Sequence, residues 1–153
     1  MTFEMPAVHH FKLKGDCTSH SRTVVRARAH ELVIDEPEIR GGSDTGATPL
    51  ETMLSSYLAC LNVISHLIAR EMEVELDDMS FALDATFDTR GFSTVEPTDL
   101  PFPELDLTVN VTTAADDAAL EKLKADLSLR CPMTVVLTAA GTRINSTWNV
   151  SRP

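Results

Sequence analysis

Apolar positions recur along this chain in two rhythms, and the points where the rhythm changes mark its elements. From Pro49 to about Met72 the spacing is helical: Leu50, Leu54, Tyr57, Leu61, Ile64 and Ile68 return every three or four residues, while Thr52, Ser55, Ser56, Asn62 and His66 form a small or polar stripe. This predicts a long helix over about 49–72, with Thr48 as its N-cap and Pro49 in the first turn, where a missing N–H costs nothing. The apolar face is wide, so most of this helix is expected to be buried. Elsewhere the rhythm is two. Met79, Phe81, Leu83, Ala85 and Phe87 predict a half-buried strand over 79–89, and Leu105, Leu107, Val109 and Val111 another over 105–112. Residues 7–14 read as a short strand before a polar turn at 15–21. From Thr23 to Ile34, Val25, Ala27 and Ala29 face away from Arg26, Arg28 and His30, which makes a strand or hairpin. The N-terminal strands thus occupy 7–34.

Asp116 and Asp117 open a second helix over about 116–130, where negative charge suits the N-terminal end of the dipole. Its stripe of Ala119, Leu120, Leu123 and Leu127, carried one turn further, lands on Cys131. Pro132 disfavours helical geometry at that cysteine, so residues 131–140 form a Cys-Pro element after a break. Periodicity leaves its state open, because the β-branched residues favour strand and Pro132 with Ala139 and Ala140 favours helix. A last strand over 143–150 carries Ile144, Trp148 and Val150 on one face. Between the two middle strands, residues 90–104 hold three prolines, Phe92, Leu100 and Phe102: either a cover over a pocket or a plain hairpin excursion. No repeat or linker interrupts the chain, so it reads as a single domain over 1–153, of α+β class with segregated elements. One helix apolar over so much of its circumference suggests a partner subunit.

Composition narrows the functional classes. The 153 residues are 43% hydrophobic and 24% charged, the profile of an ordinary globular protein with a proper core. The net charge of −10 repels phosphate backbones and anionic lipid, so neither nucleic acid nor a membrane is an expected partner. No apolar run is read as reaching the roughly eighteen residues that span a bilayer, and the N-terminus lacks a signal peptide's hydrophobic core, so the cytoplasm is the expected location. Three cysteines are too few for a secreted disulfide framework. Their spacings match no zinc site, the histidines show no ligand spacing, and no metal is expected.

The loop GGSDTGATPLE, followed by Cys60 in the helix, then DTRGF, then a helix ending RCPM and a final strand, resembles the family of osmotically induced protein C and organic hydroperoxide resistance proteins. The resemblance runs over nearly the whole chain from about Thr23. It implies an α+β, OsmC-like fold in which antiparallel sheets wrap central helices in an intertwined homodimer, with active sites near the interface. It implies further that Cys60 is the peroxidatic cysteine and Cys131 the resolving one. The substrate would be an organic hydroperoxide, and a dithiol or lipoyl-type reductant would be the electron donor with no other cofactor. Glu51, in the Pro-x-Glu position, matches the glutamate that holds a catalytic arginine. The arginine is where this chain departs from the pattern: the N-terminal region offers Arg22, Arg26 and Arg28 without the glycine-rich loop, and Arg90 stands in DTRGF.

The chemistry explains why those residue types belong together. A peroxide is attacked by a thiolate, and burial raises a cysteine's pKa from about 8.5, so Cys60 needs a neighbouring cation. Arginine suits because its charge persists and its planar fork can be oriented by a glutamate. Glu51 and Cys60 stand nine residues apart, which at about 100° each puts them on opposite faces of a straight helix. They meet only if Glu51 precedes the regular helix or if a site takes one residue from each subunit. Two functions follow: a thiol-dependent peroxidase, or a non-enzymatic dimeric module that binds a ligand or partner in the same place.

Overall fold

The computed structural model describes residues 7–153, and the first six residues, read above as part of an N-terminus without a signal peptide's core, lie outside it. The chain divides into two compact units, one ending at Ser55 and the other running from Ser56 to Pro153. The division falls inside the long helix rather than in a linker.

The first unit is built on a three-stranded antiparallel sheet of β1 (Leu13–Cys17), β2 (Thr23–Ala27) and β3 (His30–Ile34). The strand predicted over 7–14 lies further along, and Gly15 and Asp16 belong to it rather than to a turn. Arg28 sits in the two-residue turn between β2 and β3 with a φ of 57°, off the strand face it was expected to share with Arg26. After β3 the chain makes a short 3-10 turn, Glu38–Arg40, closed by Gly41 at φ 83°.

The loop that follows is organised by one carboxylate. Asp35 is fully buried. Its Oδ2 accepts from the N–H and hydroxyl of Ser43, at 3.2 and 2.6 Å, and from those of Thr45, at 3.2 and 2.9 Å, while Oδ1 accepts the Glu36 N–H at 2.9 Å. These bonds hold the Asp35 carboxyl far below the usual carboxylate range, the Ser43 hydroxyl most strongly. The loop is drawn so tightly round it that a Cβ on Gly42 would stand 1.7 Å from the Glu36 carbonyl oxygen, which is why that position has no side chain.

Helix α1 then runs over Pro49–Glu71, starting as predicted after Thr48. It is 23 residues long, with a mean hydropathy of 1.4 over its most apolar eighteen-residue window. By length and composition alone it therefore could cross a membrane, which the sequence reading denied to every run; the core helix of a globular protein meets the same criterion. The expectation that most of α1 is buried fails. Only the stripe of Tyr57, Leu61, Ser65, Ile68 and Ala69 is enclosed, while Val63 is 64% and Leu67 39% exposed, because one chain supplies enough apolar surface to cover one side only.

The second unit carries β4 (Asp78–Thr86), a single-turn helix α2 (Arg90–Ser93), β5 (Glu104–Thr112), α3 (Asp117–Arg130), α4 (Pro132–Ala139) and β6 (Arg143–Ser151). The sheet order is β4-β5-β6. β4 pairs antiparallel with β5, but β6 pairs with β5 in parallel, which corrects the expectation of wholly antiparallel sheets. The cause is the α3–α4 connection, which carries the chain back to the end at which β5 began; a parallel pair requires such a crossover. Leu105, Leu107, Val109 and Val111 of β5 are all buried, as are Leu120, Leu123 and Leu127 of α3. Asp116 caps α3 by accepting the Ala119 N–H at 2.8 Å. The Cys-Pro element is a helix: Pro132 occupies its first turn, where the fixed φ suits it, and this outweighs the β-branched residues.

Asp35→Asn is expected to lower the thermal midpoint by several degrees at neutral pH, because an amide presents donors where the loop already presents donors. The native state keeps Asp35 ionised at pH values where the unfolded chain protonates it, so its contribution is full above the unfolded value of about 4 and is lost as pH falls below it. The gap in midpoint between wild type and variant, followed by circular dichroism, should therefore narrow in acid; a gap independent of pH would contradict this role.

Candidate active site

Two helix segments bring the cysteines together. Cys60 lies in the middle of α1, and Cys131 is at once the C-cap of α3 and the N-cap of α4, with extended backbone at φ −72° and ψ 111°. Its N–H still bonds the Leu127 carbonyl at 3.0 Å, and its carbonyl accepts the Val135 N–H at 3.0 Å, so the break costs no backbone hydrogen bond at this residue. The Cys131 side chain is completely buried and Cys60 half-buried. Their sulfurs are 3.4 Å apart, both reduced. That separation is van der Waals contact, well outside the roughly 2.05 Å of a disulfide.

The electrostatics favour the neutral thiol. Burial raises the Cys60 pKa above its ordinary value; the Met133 N–H at the start of α4 pulls the other way, and Cys131 adds to the rise. No guanidinium is among the causes. Arg130, adjacent to Cys131 in sequence, is committed to Glu71, with Nη1 and Nη2 at 2.5 and 2.9 Å from its two carboxylate oxygens, and ties the end of α3 to the end of α1. Arg90 is 69% exposed, and its guanidinium is held by Asp88, which it lowers to about 2. Arg22 donates to Thr45 and Thr18, while Arg26 pairs with Glu31 and Asp16 on the strand face.

Glu51 is the third residue of α1, so the route in which it precedes the helix is closed. Its carboxylate accepts the Thr48 N–H at 2.8 Å while its own N–H reaches the Thr48 hydroxyl at 3.3 Å. This is a capping box, and the signal was in the sequence as Thr48-x-x-Glu51. The Thr48 N–H is the main reason its pKa is lowered, and the charge of Arg40 contributes last.

The residues missed from sequence are Tyr57 and Thr134, placed one helical turn before Cys60 and one after Cys131. Tyr57 is 1% exposed, and burial raises the pKa of its hydroxyl. It approaches Thr134, but Thr134 Oγ1 has no hydrogen bond of normal geometry and is buried. Turn spacing from the two cysteines was the available signal. In the 90–104 segment, Phe102 is buried against Phe87 with ring centroids 5.2 Å apart, whereas Phe92 is 68% exposed. Among the described residues, no group of three or more His, Cys, Asp or Glu side chains is arranged to hold a metal.

The sequence model of one family, described as OsmC-like protein, matches residues 41–147. No curated protein matches the chain. Among solved structures, an OsmC-like protein from Mycoplasma pneumoniae superposes with a TM-score of 0.78 at 17% identity, covering 93% of this chain and 97% of that one. A protein from Legionella pneumophila, described as an organic hydroperoxide resistance protein OsmC, predicted redox protein and regulator of sulfide bond formation, gives 0.63 at 16%, over 95% and 99%. An organic hydroperoxide resistance protein from Elizabethkingia anophelis with thiocyanate bound gives 0.65 at 16%, over 97% and 100%. At these identities the likeness is one of fold.

With the exposed Cys17 replaced by serine, Cys60 alkylation by iodoacetamide is expected to rise about tenfold per pH unit between pH 6 and 8 while no cation stands beside its sulfur, as the thiolate fraction does. Peptide mass spectrometry measures it, and a rate that levels off below pH 7 would mean an activated thiolate instead.

Proposed function

Because the chain belongs to the OsmC-like protein family, we propose that it reduces organic hydroperoxides, with Cys60 attacking and Cys131 resolving. The observation that carries this reading is the 3.4 Å contact of the two sulfurs, one half-exposed and one buried. The Cys60 thiolate attacks the outer oxygen of the hydroperoxide; an S–O bond forms as the O–O bond breaks, and the alkoxide takes up a proton and leaves as an alcohol. Cys60 is then a sulfenic acid, open to overoxidation. The Cys131 sulfur attacks the Cys60 sulfur, the hydroxyl leaves as water with the Cys131 proton, and a disulfide closes. A dithiol or lipoyl-type reductant returns two electrons and two protons, and the cycle uses no other cofactor.

This reading requires a cation that offsets the raised pKa of Cys60. A homodimer supplies the place for it: α1 is open on the side of Val63 and Leu67, and Glu51 and Cys60, pointing apart on one helix, come to one site from two chains. Arg22, Arg26, Arg28 and Arg90 are the candidates, and each but Arg28 has first to leave a partner described above. The exposed Phe92 suits a peroxide with a bulky apolar tail. Such a protein works in the cytoplasm, in oxidative stress defence.

The raised Cys60 pKa favours a second reading, a non-enzymatic dimeric module that keeps both thiols reduced and binds a ligand or partner. Mass spectrometry after one equivalent of cumene hydroperoxide separates the two. The peroxidase loses two hydrogens in a Cys60–Cys131 linkage; Cys131→Ser stops at the sulfenic acid after one event and reaches sulfinic acid only when a second equivalent is added; Cys60→Ser loses turnover by ~10³-fold or more. Full peroxide consumption by Cys60→Ser sinks the peroxidase reading, and no consumption by the wild type favours the module.

A further inference from the structure

The second unit holds a cavity of about 200 Å³ that neither cysteine lines. Its wall includes Tyr57 and Leu61 of α1, Leu127 of α3, Thr134 of α4, and Lys124 and Trp148. The space corresponds to about seven water-sized groups, too small for a drug-sized ligand and large enough for a short apolar chain or one ring.

The polar side chains around it are those of Tyr57, Lys124, Ser128, Thr134, Thr138 and Ser146. Ser128 Oγ already donates to the Ala125 carbonyl at 2.7 Å, and Thr138 Oγ1 to the Thr134 carbonyl at 2.9 Å, so both can only accept from a ligand. Thr134 is 7% exposed, and although Tyr57 approaches it, its Oγ1 makes no hydrogen bond of normal geometry and can both give and take one. A buried hydroxyl is costly to leave unpaired, and this one lines an empty space. Lys124, the one charged residue in the wall, has its Nζ 2.8 Å from Glu121 Oε1 and 5.5 Å from the Trp148 ring centroid, so its charge is already met on two sides. On a chain of net charge −10, a carboxylate ligand finds no free cation here.

We propose that this cavity binds a small neutral alcohol: an apolar body of about six or seven non-hydrogen atoms against Leu61, Leu127 and Trp148, with its hydroxyl paired to Thr134. A hydroxyl both donates and accepts, which matches Thr134 together with the accepting Ser128 and Thr138. Binding uses neither sulfur and is independent of the peroxide cycle proposed above.

Trp148 is the only tryptophan of the chain and stands in the wall, so its intrinsic fluorescence reads occupancy directly. Titration of the reduced full chain with hexan-1-ol is expected to change that emission saturably, whereas hexanoate over the same range leaves it unchanged. Thr134→Val, which keeps the side chain's shape, should weaken hexan-1-ol about tenfold, the loss of one hydrogen bond. Thr134→Ser, which keeps the hydroxyl, and Cys60→Ser, which removes the proposed turnover, should both bind as the wild type does. No saturable change with hexan-1-ol overturns the site, and binding of hexanoate as tight as that of the alcohol overturns the ligand class. Unchanged affinity in Thr134→Val, or lost affinity in Thr134→Ser, overturns the role of Thr134. Because the wild-type titration decides the first two questions alone, a variant that fails to fold does not shield the proposal.

Discussion

The break in the helix at Cys131 is the constraint on which the second unit turns, because Pro132 cannot continue α3 and its fixed φ suits the start of α4. A single residue therefore caps two helices, and with its backbone satisfied on both sides its side chain is directed to the interior. That direction brings one sulfur against the other, sets the Met133 N–H toward Cys60, and aims Thr134 at the cavity beside them. Arg130, on the last turn before the break, reaches back to Glu71 and ties the ends of α1 and α3 together. A bidentate pair at that point limits how far the two helices can slide, and so how far the two cysteines can drift apart.

The first unit depends on a different residue of the same kind, one buried group that collects the loose ends of a loop. Asp35 gathers the N–H groups of Glu36, Ser43 and Thr45, and the chain leaves that cluster directly into the capping box of α1. The long helix thus starts directly after a loop held by a carboxylate fourteen residues before it. Close approach then explains the glycines better than flexibility does. At Gly46, as at Gly42, a Cβ would collide with backbone, 2.3 Å from the Val33 carbonyl oxygen.

What the sequence made legible follows from which signals are local. The start of α1 at Pro49, the acidic opening of α3 at Asp116 and Asp117 and the alternation along β5 are short-range patterns, and the structure carries all three. The meeting of Cys60 and Cys131 came through the family's ordering of motifs, since no spacing can announce a contact across 71 residues. Three features were out of reach for stated reasons. The parallel pairing of β6 depends on where a crossover lands, which alternation does not encode. The conformation of residues 132–139 hung on a contest between a proline and its β-branched neighbours. Asp35 looked like one of several acids ending a strand, and only its buried partners distinguish it. Glu51 was legible twice over, as a match to the family's glutamate and as the end of a Thr-x-x-Glu box, and its hydrogen bonds in the single chain are those of the box.

The parallel pairing of β5 with β6 also sets an order of events during folding. Glu104 and Arg143 face each other across that pair, 39 residues apart in sequence, so the ladder closes only when the crossover chain between them has returned to the end at which β5 began. Cys131 rides in that crossover. Until it closes, Cys60 belongs to a chain without its burial, and its thiol has the ordinary acidity of an exposed cysteine. Folding of the single chain thus makes this sulfur less acidic and less open to indiscriminate chemistry, and the nascent or transiently unfolded chain is where stray electrophiles meet it more readily than in that folded chain.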